Sequence, residues 1–514
     1  MNRNHIGFFA ALLGLAWQAQ GTDINHSPFS HPRKAPNTVA ARALAVVPQV
    51  YTTSHFAIVY STSGVDAIAQ GGLGLDGQGV PKVVDSLGVL AEQIWRLAID
   101  TLGYPAPPGL DTAMGYGVKL PSGKFPIEIL DLYTLDNSFR GEGTMGYAGK
   151  PSIDPAGQNR MALLLENDFV DGGTAKPIRV IVDPINNNGD SVLIDYSKDP
   201  LKGWSVALAH EFYHNLQYEY DYGFTYAYHE MTAVWFATRA FPGIHHEWQY
   251  YPKFMRHLDQ SPFLTSGTVP YENFLFVTEM VQVYGESVLK ELWPLHATDF
   301  TGDEAVWFNH VIKKTNRDEV AFTSNYLKGI LSLFANVPHA MNENGVVKVT
   351  PPTIDAWPAI ADSSPNSAIG GGNIFGASLV HMNNGQFSNG WNLIFADGID
   401  SSSSVGGWVG YPSKDINVVH PGAGTFTFAR KSTDTSLVIG ILTGIIGQKE
   451  WWVDCSGTKN PPSSSVQPRV HPTGAFVVKH RVDLNGRPVT SSTRGVILEG
   501  DYATGWHRRV LVGE

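Results

Sequence analysis

Apolar residues in the first part of the chain follow two spacings, which predict strands and a helix. Residues 51–60, YTTSHFAIVY, alternate like a first strand. From 83 to 98, apolar residues recur three and four positions apart, which predicts a helix that ends at a Leu-Gly pair. Further strands, each bounded by Gly, Pro or Asn, are predicted at 125–133, 160–169 and 177–184.

Three more helices are predicted in the middle of the chain. Asp199 is a good N-cap and Pro200 is favoured at the first helical position, so one helix is predicted from there to about residue 218. A second covers roughly 226–240 and stops before a Pro-Gly pair. The third, at 274–295, is predicted to be broken at its internal glycine.

After about residue 340 the helical spacing disappears, and Gly, Ser, Asn and Pro separate short apolar runs. This pattern predicts an all-β region and favours a sandwich. The expected organisation is therefore a domain of strands and helices at 48–339 and a β-rich region at 340–514. A sub-boundary is predicted near 456–474, where Ser and Pro are concentrated.

The N-terminus has the features of a secretory signal peptide. A weakly basic start precedes the apolar run IGFFAALLGLAW at 6–17, which is too short to cross a bilayer of ~30 Å. Ala19 and Gly21 are small residues that suit signal peptidase, so residues 1–21 are predicted to be removed and the protein to be secreted, extracellular or periplasmic. Residues 22–47 are predicted to be a linker or short pro-segment, and no later stretch predicts a membrane span.

Composition narrows the choice of partners. Of 514 residues, 43% are hydrophobic and 16% charged, with a net charge of −11 at pH 7. The charged fraction lies below the usual ~25%. The acidic balance argues against nucleic acid as a partner, because the phosphate backbone is itself negative. Cys455 is the only cysteine, so no disulfide can form within the chain and the fold must rely on its core.

The candidate chemistry lies in the helix predicted after Asp199, where residues 207–217 are ALAHEFYHNLQ. His210 and His214, four residues apart, lie on one helical face and can offer two imidazole nitrogens to one Zn²⁺ at ~2.0–2.1 Å. Glu211 lies beside the first ligand and can take a proton from zinc-bound water, whose pKa the ion lowers toward ~7. This H-E-x-x-H pattern indicates a metal-dependent hydrolase.

A catalytic zinc takes three protein ligands, so one more is needed. The positions after His214 do not match the metzincin pattern, which excludes that subclass. The better candidate is Glu230, sixteen residues further on and in the next predicted helix. It begins an E-x-x-A-x-W pattern in which the small Ala233 allows close helix packing. His229 and Asp221 are the alternatives.

These motifs resemble those of the gluzincin-type zinc metallopeptidases, and within them the secreted bacterial metallopeptidases of the myxobacterial type. The resemblance rests on H-E-F-Y-H, the Gln-Tyr pair that follows it and E-x-x-A-x-W, and it covers about 50–300. Other similar stretches are HFAIVYSTSG at 55–64, LDGQGVPKVVDSL at 75–87 and LLLENDF at 163–169.

The resemblance implies an α+β fold, with a zincin-like catalytic domain in which a mixed sheet accompanies the active-site helix. It also implies zinc ligands on His210, His214 and Glu230, with Glu211 as general base. Ala227 departs from the family, which has Trp at that position. The glycine-rich turn near 75–79 has fewer acidic residues than a calcium loop, so calcium has no support there.

Zinc peptidases also need a donor that stabilises the developing oxyanion. Tyr271 matches the tyrosine that related zincins place before their third helix. In zincins an edge strand ahead of the motif aligns the peptide substrate by backbone hydrogen bonds, and residues 161–167 are predicted to be that strand. His245 and His246 follow a Pro-Gly turn and are candidates for substrate contact.

The sequence thus predicts a secreted zinc-dependent endopeptidase that acts on a protein or peptide. The alternative is a non-catalytic secreted binding or adhesion protein that keeps a zincin scaffold and works through a ligand-binding β domain. The intact Glu211 favours the enzyme, because a scaffold without catalysis has no need of the general base.

Overall fold

The computed structural model describes residues 48–335 apart from short gaps, and beyond them chiefly strands. The gaps are 70–72, 78, 110–117, 133–143, 154–158, 172–175, 183–190, 221–225, 259, 264–268 and 300–303. After 335 the described residues are 339–340, 348–349, 368–369, 375–383, 391–395, 405–419, 426–428, 434, 436–442, 451–454, 480–483, 495–501 and 505–511. The predicted signal peptide, the segment 22–47, Cys455 and the predicted sub-boundary near 456–474 lie outside the described residues.

The helices, numbered along the chain, are α1 (Lys82–Trp95), α2 (Pro200–Tyr218), α3 (Tyr226–Ala240), α4 (Tyr251–Arg256), α5 (Val269–Glu272), α6 (Phe274–Tyr284), α7 (Ser287–Asp299), α8 (Glu304–Lys314) and α9 (Glu319–Ala335). A π-helical turn, Arg96–Thr101, extends α1, and a 3₁₀ turn, His246–Tyr250, precedes α4.

The strands are β1 (Gln49–Thr52), β2 (Phe56–Tyr60), β3 (Phe125–Leu130), β4 (Gly146–Ile153), β5 (Asn159–Glu166), β6 (Val170–Asp171), β7 (Lys176–Pro177), β8 (Arg179–Val182), β9 (Ser191–Asp195), β10 (His339–Ala340), β11 (Lys348–Val349), β12 (Ala368–Ile369), β13 (Ala377–Asn383), β14 (Trp391–Phe395), β15 (Val405–Tyr411), β16 (Ile416–Val419), β17 (Phe426–Phe428), β18 (Ser436–Leu442), β19 (Trp451–Asp454), β20 (His480–Asp483), β21 (Gly495–Asp501) and β22 (Gly505–Leu511).

The segment predicted as one first strand, 51–60, belongs to two. β1 and β2 form an antiparallel hairpin. The backbone turns at Thr53, whose amide donates to the carbonyl of Phe56. The turn is fixed to α1, because Glu92 accepts hydrogen bonds from the Thr53 hydroxyl and the His55 amide. The prediction of a single strand is therefore wrong, since the polar residues between the apolar ones form a turn.

A five-stranded sheet, in the order β1-β2-β3-β5-β4, forms one layer of the structure. β2, β3 and β5 run parallel, whereas β1 and β4 pair antiparallel on the two sides. Helix α1 connects β2 to β3, packs on β2, and buries Val83, Leu87 and Ala91 as its spacing predicts. The sheet is mixed and combined with helices, an architecture compatible with the predicted α+β class.

Helix α2 runs through the middle of the core. It begins at Pro200 as predicted, but the Asp199 side chain makes no cap hydrogen bond and pairs with Lys202 at 3.0 Å. Every residue from Gly203 to Gln217 is buried. A helix that is buried on all faces is an interior helix, and α2 packs against α1, α3, β4 and β5.

The helices after α3 contribute to the same hydrophobic core, which extends to the C-terminal strands. The predicted third helix is broken as expected: α6 ends at Tyr284, and Gly285 has a φ of 83° before α7 begins. Helices α8 and α9 were not predicted from the sequence. α9 packs on α6 and also on β15, β16 and β18, so it joins the helices to a C-terminal sheet.

All pairings among the described strands after α9 are antiparallel. The sheets are β13-β18-β15-β16, β12-β19-β14-β17 and β20-β21-β22, with β10 and β11 as a separate pair. The first sheet shares the main core, to which Phe375, Val405 and Leu442 belong. Across the described parts of the chain, none of the helices has the length and apolar character needed to cross a membrane.

Candidate metal centre

Helices α2 and α3 bring three predicted ligands together. His210 and His214 lie one turn apart on α2, and Glu230 lies near the start of α3. Nε2 of His210 is 3.0 Å from Nε2 of His214 and 3.0 Å from Oε2 of Glu230. Nε2 of His214 is 3.6 Å from the same carboxylate oxygen. All three side chains are buried.

The spacing of these atoms fits a metal ion. Ligand atoms that lie ~2.0–2.1 Å from a tetrahedral ion are about 3.3 Å apart, and the three distances here are 3.0, 3.0 and 3.6 Å. The donor set is two imidazole nitrogens and one carboxylate oxygen, which suits a transition metal better than Ca²⁺ or Mg²⁺. His210, His214 and Glu230 therefore form a buried group that can hold a metal ion.

His229, the neighbour of Glu230, is the competing ligand candidate. Its ring packs against those of His214 and Trp293, with centroids 5.8 and 5.7 Å away. The three-residue metal group contains Glu230 and not His229. The structure thus brings the carboxylate to the two histidines, while the His229 ring belongs to the surrounding aromatic packing. Asp221, the second alternative, lies outside the described residues.

Glu211 follows His210 on α2 and lies against strand β4. The backbone amide of Ala148 donates a hydrogen bond to its carboxylate. A Cβ added at Gly146 would lie only 2.7 Å from Cγ of Glu211, so the glycine permits this close approach. The Oε1 atom of Glu211 is buried and has no hydrogen-bond partner among the described residues.

The protonation of Glu211 is set mainly by its burial. Desolvation penalises the charged carboxylate and raises its pKa to about 8. The nearby charge of His214 and the Ala148 amide lower the pKa, whereas the Glu230 carboxylate raises it. Without a bound cation, burial therefore favours the protonated form of Glu211. A carboxyl group with a pKa near neutrality is suited to both accepting and returning protons.

Strands β1 and β4 are the two outermost described strands of the five-stranded sheet, and β4 is the one that lies against Glu211. The segment predicted as the edge strand, 161–167, lies mostly in β5, which has β3 on one side and β4 on the other. That prediction is wrong, because β5 is paired on both sides; among the described strands the edge next to it is β4, whose sequence has a weak strand pattern. Its sequence, GYAGKPSI, contains two glycines and a proline, and its pairing with β5 shifts register between Gly149 and Ser152.

Tyr271 lies in α5 beside the candidate ligand His210. The two rings are nearly parallel, at 13°, with centroids 6.0 Å apart. Tyr250 stacks in turn on Tyr271, at 6.1 Å, and Tyr271 is buried. The structure thus places Tyr271 next to the metal group, and its role as a transition-state donor stays a prediction.

His246 lies deeper than the sequence suggests, in the 3₁₀ turn before α4. Its Nδ1 atom is 2.7 Å from the hydroxyl oxygen of Tyr196, and its Nε2 atom is 3.0 Å from the side-chain nitrogen of Gln249. Burial, and to a smaller extent the charge of His210, lower its pKa to about 3, so the ring is neutral at pH 7. His245 is only half-buried and stacks on Trp248.

Two parts of the site were missed by the sequence analysis. The first is the pair Gly146 and Ala148 on β4, which only the sheet pairing brings to Glu211. The second is Gln217, whose side-chain oxygen lies 2.7 Å from Nδ1 of His214. A signal for Gln217 was available, because residues three apart on a helix face the same side.

Comparisons of the chain with models of protein families, with curated proteins and with solved structures find no match. The geometry of the site therefore carries the functional argument.

Proposed function

We propose that this chain is a secreted zinc-dependent endopeptidase. Its zincin-like catalytic domain would contain α2 and α3, and the strands after α9 would form a β-sandwich region. The observation that carries the proposal is the buried group of His210, His214 and Glu230 with Glu211 directly beside it. Zinc is the metal we infer, because two imidazoles and one carboxylate are a typical catalytic zinc set.

The ligands would hold the ion between two helices that are themselves buried. When bound, zinc would supply Lewis acidity and lower the pKa of a coordinated water toward ~7. His210 and His214 contribute neutral nitrogens and Glu230 a single negative charge. With Zn²⁺ bound, this site would keep a net positive charge, which would favour an anionic oxygen nearby.

Glu211 would move the proton during hydrolysis. Its carboxylate accepts a proton from the attacking water and returns it to the amine of the leaving peptide. Its burial supports this role, because a desolvated carboxylate is a stronger base than one in water. The Ala148 amide and the close approach at Gly146 fix its position against β4.

The outer edge of β4 is where we propose that the substrate backbone pairs. Strand addition at a sheet edge recognises an extended peptide through main-chain hydrogen bonds, largely independently of its sequence. The Ala148 amide, on this strand, donates to the carboxylate of Glu211, so β4 lies directly beside the residue proposed as the base. An extended segment of a protein or peptide is therefore the proposed substrate class.

Hydrolysis of an unfolded protein such as casein tests the proposal. We expect zinc-loaded wild-type protein to cleave casein and Glu211→Gln to lose about 10²- to 10⁴-fold in rate while it keeps its zinc, because the amide cannot act as a base. Zinc binding without hydrolysis in the wild type, with a panel of unfolded proteins, would contradict the enzyme and favour the non-catalytic binding protein.

A further inference from the structure

Gln217 connects the two helices that carry the metal group. It lies on α2, three residues after His214, and is 1% exposed. Its Oε1 atom is 2.7 Å from Nδ1 of His214. Its Nε2 atom donates to the carbonyl of His229, at 3.1 Å, and to the hydroxyl oxygen of Thr232, at 2.8 Å, both on α3.

The contacts on α3 determine which end of the Gln217 amide faces His214. A backbone carbonyl can only accept a hydrogen bond, so the atom of Gln217 facing the His229 carbonyl must be the NH₂ group. The hydrogen bonds of the Thr232 hydroxyl support the same orientation of the Gln217 amide. This hydroxyl donates to α3 carbonyls, with Tyr228 O at 2.7 Å, and its lone pairs remain to accept from Gln217. The Gln217 oxygen therefore faces His214.

This orientation fixes the tautomer of His214. An amide oxygen cannot donate, so Nδ1 of His214 must carry the ring proton. The lone pair of the neutral ring then lies on Nε2, the atom 3.0 Å from Nε2 of His210 and 3.6 Å from Oε2 of Glu230. Only a deprotonated nitrogen can bind a metal. The ring is thus set in its ligating form by protein contacts alone.

We propose that Gln217 is a positioning residue that holds His214 in the Nδ1–H tautomer and fastens it to α3 before the metal arrives. The inference rests on the proposed metal site. One buried amide thus determines the tautomer of one ligand and is anchored beside another, since His229 immediately precedes Glu230. Partners of this kind typically change metal affinity about 10- to 100-fold.

The tautomer can be measured in the zinc-free wild-type protein by ¹⁵N NMR with labelled histidine, at a pH where His214 is neutral. The His214 signals are assigned by their loss in His214→Gln. We expect the proton on Nδ1, with Nε2 unprotonated. A proton on Nε2 would overturn the proposal without any variant of Gln217 having to fold.

Zinc affinity, measured by competition with a chelator on the full chain, provides the second test. We expect Gln217→Met, similar in shape but without the amide, to bind zinc about 10- to 100-fold more weakly. Gln217→Glu keeps an acceptor for His214 and should bind zinc more tightly than Gln217→Met. The matched control is Gln282→Met, since the Gln282 amide contacts Asn325 and no metal ligand; its zinc affinity should equal that of the wild type.

These measurements distinguish the proposed role of Gln217 from the proposed metal site. A folded Gln217→Met that binds zinc as tightly as the wild type overturns the role of Gln217 and leaves the metal site intact. A wild-type protein that binds no zinc overturns both.

Discussion

Gly146 on β4 and Glu211 on α2 approach so closely that the sheet and the helix leave no room for a side chain between them. A Cβ at position 146 would lie 2.7 Å from Cγ of Glu211 and 3.4 Å from its Oε1. Two residues along the same strand, the Ala148 amide donates to the Glu211 carboxylate. The outer strand of the sheet therefore determines where the proposed base lies.

Replacing Gly146 by alanine should displace Glu211 and slow hydrolysis. A shift of about 1 Å in a catalytic group can cost about 10²-fold in rate, so we expect kcat to fall by at least about tenfold. Zinc content should not change, because the three atoms nearest to a Cβ at position 146 all belong to Glu211 and none belongs to His210, His214 or Glu230. Steady-state kinetics and metal analysis of the same preparation measure both quantities. An unchanged kcat would contradict the expectation that hydrolysis depends on the position of Glu211 against β4.

Tyr271→Phe should lower kcat by about 10²- to 10³-fold, which is the usual cost of losing an oxyanion donor. Zinc affinity and KM should change little, because the ring that stacks on His210 is retained. Tyr284→Phe is the control: that hydroxyl donates to the Asp318 carbonyl, away from the metal group. If kcat is the same in both variants and in the wild type, the Tyr271 hydroxyl does not act as the oxyanion donor.

Glu166 provides a test of stability that does not depend on the metal. Its Oε2 atom accepts a hydrogen bond from the Leu132 amide at 2.9 Å, and the side chain is buried. Desolvation, supported by the charges of Asp131 and Asp168, raises its pKa well above the usual range, although hydrogen bonds from backbone amides oppose the rise.

The raised pKa means that the folded state favours the protonated carboxyl. This contribution to stability is fully present below the unfolded-state pKa and is lost as pH rises through the folded-state pKa. Glu166→Gln is always neutral and keeps an oxygen for the Leu132 amide. We therefore expect its melting temperature to match the wild type near about pH 4 and to exceed it increasingly toward about pH 8. A difference independent of pH would contradict this account.

The elements that could be predicted from the sequence are those whose signals are local. Helices α1, α2 and α3 follow their apolar spacing, and the start of α2 follows from Pro200. The pair His210 and His214 follows from helical geometry alone. Glu230 could be chosen over His229 only provisionally, because the contact between α2 and α3 decides which side chain reaches the histidines.

The parts that could not be predicted depend on long-range contacts. Strand β4 is rich in glycine and has a proline, so its strand character comes from pairing with β5 rather than from its own residues. The role of Gln217 depends on the carbonyl of His229 and the hydroxyl of Thr232 on another helix. Local patterns contain no information about which partner a buried amide will meet.

The most direct test of the account is the zinc content of the purified, dialysed protein, measured by mass spectrometry for the wild type, Glu230→Ala and His229→Gln. We predict one zinc per chain in the wild type and in His229→Gln, and far less than one in Glu230→Ala. A wild-type chain without zinc after reconstitution, or full zinc occupancy in Glu230→Ala, would contradict the proposed centre.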